Sequence, residues 1–233
     1  MFNFLKAYPN CKPLFIVRHP VQSLESWMLT VRNNFNEDKW YKLAGFFGEM
    51  VSILNSPLNR NAKGVKLEDI KSYPEGTMRK IAEWMGIGDH PSLYKTEFCG
   101  LKYWGPEPTS SGVISGFDKT AIKQPIGRLF GERDAQIFET LFWPFSKHFS
   151  YTKSSEEEFK IQLEAIEPLI AEPLEFERSL YDSMEDKSLS LEQQPGFELL
   201  HNYLRYAWKL LAEEGTYSGM MEPLSITHEN SAV

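Results

Sequence analysis

The sequence predicts an α/β protein: a mostly parallel sheet flanked by helices, with a helical extension at the carboxyl end. Three observations point there. The apolar run Leu14-Phe15-Ile16-Val17 passes within three residues into a helical pattern opened by Pro20. A second short strand pattern, at residues 62–70, again runs into a helix. Beyond Lys153 the composition turns Glu-rich with helical periodicity. Strand, helix, helix, strand, helix in this order is how parallel strands are joined by crossovers.

The elements follow in order. The first run is continuous and β-branched at Ile16 and Val17, as in a strand buried on both faces of a parallel sheet. Pro20 suits a first helical turn, and Leu24, Trp27, Met28 and Val31 then fall at helical spacing. Residues 38–54 form a second helix with Trp40, Leu43, Phe47, Met50, Val51 and Leu54 on its apolar side. Residues 62–70 form a strand running into an acidic turn. The next helix starts near Pro74, stops at Gly86 and turns Met78, Ile81, Ala82 and Met85 inward. Residues 89–115, rich in Pro, Gly and Ser, form a long loop. A helix ended at Pro144 follows, with Ile137, Phe138, Leu141 and Phe142 buried.

The expected division is an α/β domain over residues 1–152 and a helical extension over 153–233. A polar stretch at 193–196 separates the extension's helices, and a disordered tail begins near Thr216. Leu200, Leu204, Trp208 and Leu211 share a helical face that docks on the α/β part or on another subunit, the latter giving a homo-oligomer.

Composition bounds the function. With 233 residues, 42% of them hydrophobic, the chain can bury a sizeable core. Net charge is −7, from 25 basic and 32 acidic residues, so the overall field opposes duplex nucleic acid and anionic membrane surfaces. An anionic ligand must be held by a local cluster. Cys11 and Cys99 are too few for a disulfide framework and lack zinc spacing, which fits a reducing, cytoplasmic compartment. No apolar stretch approaches the roughly 20 residues that span a bilayer. His90, His148, His201 and His228 are scattered without metal spacing, so no metal is expected.

Arg18 stands at the carboxyl end of the first strand, where open α/β sheets bind ligands and helix amino termini favour anions. Its guanidinium matches a phosphate bidentately. Gln22 and Ser26 share a face of the following helix, so Arg18 and the Ser26 hydroxyl can form a phosphate clasp. The alternative is structural: Arg18 pairs with a carboxylate such as Asp69, and Ser26 is an ordinary helical polar group.

"LFIVRHPVQSLESW" resembles the 3′-phosphate-binding segment of sulfotransferases that use 3′-phosphoadenosine 5′-phosphosulfate. There a strand ends in Arg-x-Pro and a Ser follows eight positions after the Arg, as Arg18, Pro20 and Ser26 do here. "VKLEDIKSYPEGTMRKIAEWMGI" is similar to that family's strand, Glu-Asp pair, turn and helix, with Glu68, Asp69, Pro74, Ile81 and Gly86 in place. "SGFDKTAIKQPIGRLFGERDAQIFETLFWPFSKHFSY" resembles its closing basic, Gly-containing loop, helix and terminal aromatic. The resemblance implies a P-loop-like fold and 3′-phosphoadenosine 5′-phosphosulfate as co-substrate. It also implies 3′-phosphate contacts from Arg18 and Ser26, with Lys119, Lys123 and Arg128 as further cations, and sulfuryl transfer to a hydroxyl or amine of a small molecule or glycan.

The chain departs from the family in two places. Leu67 stands where many members carry a Tyr against adenine. No G-x-x-x-x-G-K-[ST] or comparable strand-loop-helix precedes Arg18, so the groups that would stabilise the departing 5′-phosphate are expected to be missing, and the catalytic residues are unassigned. "PEGTMRK" at 74–80 is excluded as that loop because it lacks a preceding strand. An amino-terminally incomplete domain is the expectation, with an unpaired sheet edge unless a partner or a rearrangement covers it; if no phosphosulfate loop lies upstream, turnover by this chain is expected to be undetectable. Tyr103 and Trp104 are candidates for acceptor contact, whereas "FWPFSKHF" is expected in the core. Two competing classes are an inactive interaction module and, less favoured, a kinase of the same broad fold.

Overall fold

The structure is a computed structural model that describes residues 11–32, 36–95, 97–98, 101–102, 117, 119–185 and 187–226. The chain divides into two compact units, one of residues 1–18, 61–124 and 222–233, the other of 19–60 and 125–221.

The first unit carries a parallel three-stranded sheet in the order β1 (Leu14–Val17), β2 (Lys63–Lys66), β5 (Glu222–Pro223). Leu14 is in register with Lys63 and Val17 with Lys66. After β2 come α3 (Leu67–Ser72) and α4 (Pro74–Met85). Glu68 and Asp69 open α3, where negative charge is favoured by the helix dipole. Thr77 Oγ1 donates to the Asp69 carbonyl at 3.1 Å, tying the two helices together. Gly86, at φ 76°, ends α4 in the left-handed conformation that favours glycine. Val17, Ala62, Val65, Ile81 and Ala82 are buried in this unit.

Several expectations are corrected here. β1 is not buried on both faces: Ile16 is 65% exposed, and among the described residues β1 lies at the sheet edge with β2 as its only partner. Residues 216–226, expected in a disordered tail, are ordered: Glu222–Pro223 pairs with β2 and Lys63 Nζ meets Glu222 at 2.6 Å. Met85, expected inside, is 44% exposed. Within 89–115 lie a 3₁₀ turn (Pro91–Tyr94) and a two-stranded hairpin, β3 (Glu97–Phe98) and β4 (Leu101–Lys102). Tyr103 and Trp104 lie outside the described residues.

The second unit is helical: α1 (Pro20–Val31), α2 (Glu37–Leu54), α5 (Glu132–Leu141), α6 (Trp143–His148), α7 (Glu156–Ile166), α8 (Glu175–Asp182) and α9 (Pro195–Glu214). α9 packs along α2, burying Leu200, Leu204, Ala207 and Leu211 against the side that carries Trp40, Leu43, Phe47 and Val51. Two glycines make the approach close, since a Cβ at Gly196 would meet Trp40 and one at Gly48 would meet the Tyr203 ring. The segment beyond residue 153 is therefore part of a compact core and not an appendage, and the units do not divide at residue 152. The 193–196 stretch, expected to separate helices, is partly helical itself: Gln194 is buried and α9 begins at Pro195. The helix before Pro144 stops at Leu141, and Pro144 itself is the second residue of α6, where its missing N–H costs nothing. Phe47, Phe130, Phe138, Phe142 and Phe176 form the aromatic centre, with successive ring centroids 4.8 to 6.1 Å apart. Each such burial contributes about 1.5–3 kcal/mol.

Buried carboxylates fix the helix starts. Asp134 accepts from the Glu175 and Phe176 N–H groups at 3.0 and 2.8 Å, capping α8 from a distant helix. Desolvation raises its carboxyl above the ordinary range, against those two hydrogen bonds. Glu177 accepts from Leu174 N–H at 2.8 Å and lies 2.9 Å from His201 Nε2; His201 Nδ1 donates to the Ile170 carbonyl, also at 2.9 Å. Among the described residues no helix is long and apolar enough to cross a membrane.

Two predictions follow from the packing. Gly196→Ala, which drives a methyl into Trp40, is expected to lower stability by about 1–3 kcal/mol in urea unfolding. Asp134 binds its proton more tightly folded than unfolded, so its contribution is largest at low pH and declines as pH rises through the raised folded pKa. The stability of the wild type relative to Asp134→Asn is accordingly expected to fall as pH rises from about 4; a flat difference would refute the assignment.

Candidate functional site

α1 begins where β1 has just ended. Arg18, half-buried, follows Val17; His19 is the N-cap and Pro20 the first helical residue. Arg18 closes the first unit and His19 opens the second. Ser26, half-buried, lies in α1, its carbonyl accepting from Thr30 Oγ1 at 3.0 Å. Next to it, Trp27 stacks on Phe46 of α2 at 4.6 Å.

The residue that organises this helix is Glu25, which the sequence reading did not single out. It is fully buried, and its Oε1 accepts from the N–H groups of Gly127, Leu129 and Phe130 at 3.1, 2.6 and 3.1 Å. Its Oε2 lies 3.5 Å from Arg128 Nε, which also donates to the Pro125 carbonyl at 3.2 Å. Three N–H donors converging on one oxygen hold the Gly127–Phe130 backbone against α1. A signal was present in the sequence: Glu25 sits one turn from Val21 and beside Leu24 and Met28, a charge within an apolar stripe.

The residues expected at a phosphate are thus distributed as follows. Arg18 and Lys119 belong to the first unit, Ser26 and Arg128 to the second. Lys119 is exposed at the start of a 3₁₀ turn (Thr120–Lys123), and Lys123 at its end is also exposed. Arg128 is engaged by Glu25, so its charge is partly neutralised by a buried carboxylate.

Beside His19, wholly within the second unit, lies a cavity of about 340 Å³. α5, α6, α7 and the turn after α6 build its wall. Trp143 stacks on Phe159 with centroids 4.4 Å apart, and its Nε1–H donates to Ser154 Oγ at 2.6 Å. Ser154 Oγ lies 2.9 Å from Thr152 Oγ1. Ser150, at φ 58°, turns the chain so that Tyr151 N–H donates back to the Ser146 carbonyl at 2.7 Å, and the Tyr151 ring meets His19 edge-on at 5.6 Å. A serine held in the left-handed region is strained, and such residues concentrate at functional positions. Glu139 and Glu158 supply negative charge. Glu139 is exposed by area, yet its surroundings are close enough that desolvation raises its carboxyl above the ordinary range.

"FWPFSKHF" was expected in the core, and Phe142, Phe145 and Phe149 are buried; Trp143, half-buried, instead lines the cavity. Among the described residues no group of three His, Cys, Asp or Glu side chains is placed to hold a metal. Comparison with protein-family models, with characterised proteins and with solved structures finds no match.

Glu25→Ala is expected to destabilise the protein by about 3 kcal/mol or more. It should also speed hydrogen exchange at the Gly127, Leu129 and Phe130 amides, and unchanged exchange there would refute the anchoring role.

Proposed function

We propose that this chain is a sulfotransferase-like protein that holds the 3′-phosphate of 3′-phosphoadenosine 5′-phosphosulfate through Arg18 and Ser26. The observation that supports this reading is the continuity of strand, Arg-x-Pro and helix: β1 ends at Val17, Arg18 follows, Pro20 opens α1, and Ser26 lies two turns into it. A parallel β2 leading into the Glu68-Asp69 turn of α3 supports it further. Guanidinium and hydroxyl are complementary donors for a phosphate dianion in a protein whose net charge of −7 otherwise repels one.

In the reaction of that class, the acceptor hydroxyl or amine forms a new bond to sulfur while the bond from sulfur to the 5′-phosphate oxygen breaks and the acceptor loses its proton. Positive charge and N–H donors at the departing phosphate make such a step fast. A second reading is a non-catalytic interaction module. The 65% exposed Ile16 on edge strand β1 is the observation on its side.

Calorimetric titration with 3′,5′-phosphoadenosine separates the two. Saturable binding that weakens about 10-fold or more in Arg18→Ala is the expected result; absence of heat at millimolar nucleotide would leave the interaction module.

A further inference from the structure

The cavity beside His19 has a chemistry opposite to that of a phosphate site. Of the described side chains lining it, only His19 can carry positive charge, while Glu139 and Glu158 are both acidic. Glu158 is committed, its Oε2 accepting from the Ser155 N–H at 2.7 Å within a capping box. Glu139 makes no hydrogen bond or ion pair among the described residues and stands exposed at the rim. Lys147 of α6 donates to the Ser154 carbonyl at 2.8 Å.

The walls are flat and apolar where Trp143, Tyr151 and Phe159 contribute rings, and a cavity of about 340 Å³ suits one ring-sized molecule. Polar capacity remains inside. Ser146 is 5% exposed, lines the cavity, and its hydroxyl has no hydrogen-bond partner among the described residues. Thr152 and Ser154 share one proton between their oxygens, so the other hydroxyl proton is available to a ligand.

We infer that this cavity binds a small aromatic ammonium ligand, its ring between Trp143 and Tyr151 and its charged nitrogen on the Glu139 carboxylate at the rim. An uncompensated carboxylate at the mouth of an aromatic pocket attracts a cation and repels phosphate, sulfate and carboxylate groups alike. The inference goes beyond the nucleotide reading and stands without it, because none of the lining residues is among the proposed phosphate contacts.

The test uses phenethylamine, 3-phenylpropionate and 2-phenylethanol as probes. The readout is the Trp143 indole N–H resonance of the ¹⁵N-labelled full chain, identified with Trp143→Phe. Phenethylamine is expected to shift this resonance saturably, at least about 10-fold more tightly than 2-phenylethanol; 3-phenylpropionate is expected not to shift it. Glu139→Gln, a change at an exposed side chain, should weaken the amine by about 10-fold, and Arg18→Ala should leave it unchanged. No saturable shift with the amine, equal binding of amine and carboxylate, or undiminished affinity in Glu139→Gln would each overturn the inference. Failure of the nucleotide reading would instead appear as absent 3′,5′-phosphoadenosine binding with the amine response intact.

Discussion

The close crossing of α2 and α9 is the constraint on which the helical unit depends. Gly196 lets the start of α9 lie on Trp40, and Gly48 admits the Tyr203 ring, so the two longest helices bury a continuous apolar seam. Other contacts follow from α9 being there. His201 reaches Glu177, Trp208 Nε1–H donates to the Leu163 carbonyl of α7 at 2.9 Å, and the chain leaving α9 brings the Tyr217 hydroxyl to the Leu141 carbonyl at 2.8 Å. Two helices that form the cavity wall, α5 and α7, are therefore held from behind by α9.

Buried carboxylates repeat one device in this unit. Glu25, Asp134 and Glu177 each accept backbone N–H groups from a loop or helix start, which satisfies donors that would otherwise be stranded in the core. The geometry differs in reach. Glu177 caps its own helix, whereas Glu25 and Asp134 act across more than forty residues of sequence and so fix tertiary placement. Because the acceptor is charged, such hydrogen bonds are stronger than neutral ones, and removing the acceptor strands several donors at once.

Much of the secondary structure was legible because its signals are local. The apolar spacing of Trp40, Leu43, Phe47 and Val51, the proline at Pro74 and the glycine at Gly86 specify their helices whatever surrounds them. Burial was less legible. Ile16, on edge strand β1, is as apolar as a core residue yet exposed, and Met85 faces outward in the last turn of α4. The strand at Glu222–Pro223 carried no propensity signal; it exists because β2 offers its backbone there. The places of Arg18 at a strand end and of Ser26 in the following helix were legible, while the cavity at Trp143 and Tyr151 was not, since its walls come from three helices and a strained turn.

The sequence by itself determined the alternation of strand and helix, the Arg-x-Pro junction between β1 and α1, and the amphipathic faces of the carboxyl-terminal helices. These rest on covalent order and periodicity, which act within a few residues. Tertiary structure alone decided that α9 belongs to the core with α2, that Glu25 is an internal anchor, and that an acidic aromatic cavity lies beside His19. Each of those depends on groups brought together from far apart in the chain, where removal of apolar surface from water and the need to satisfy buried N–H groups outweigh local preference.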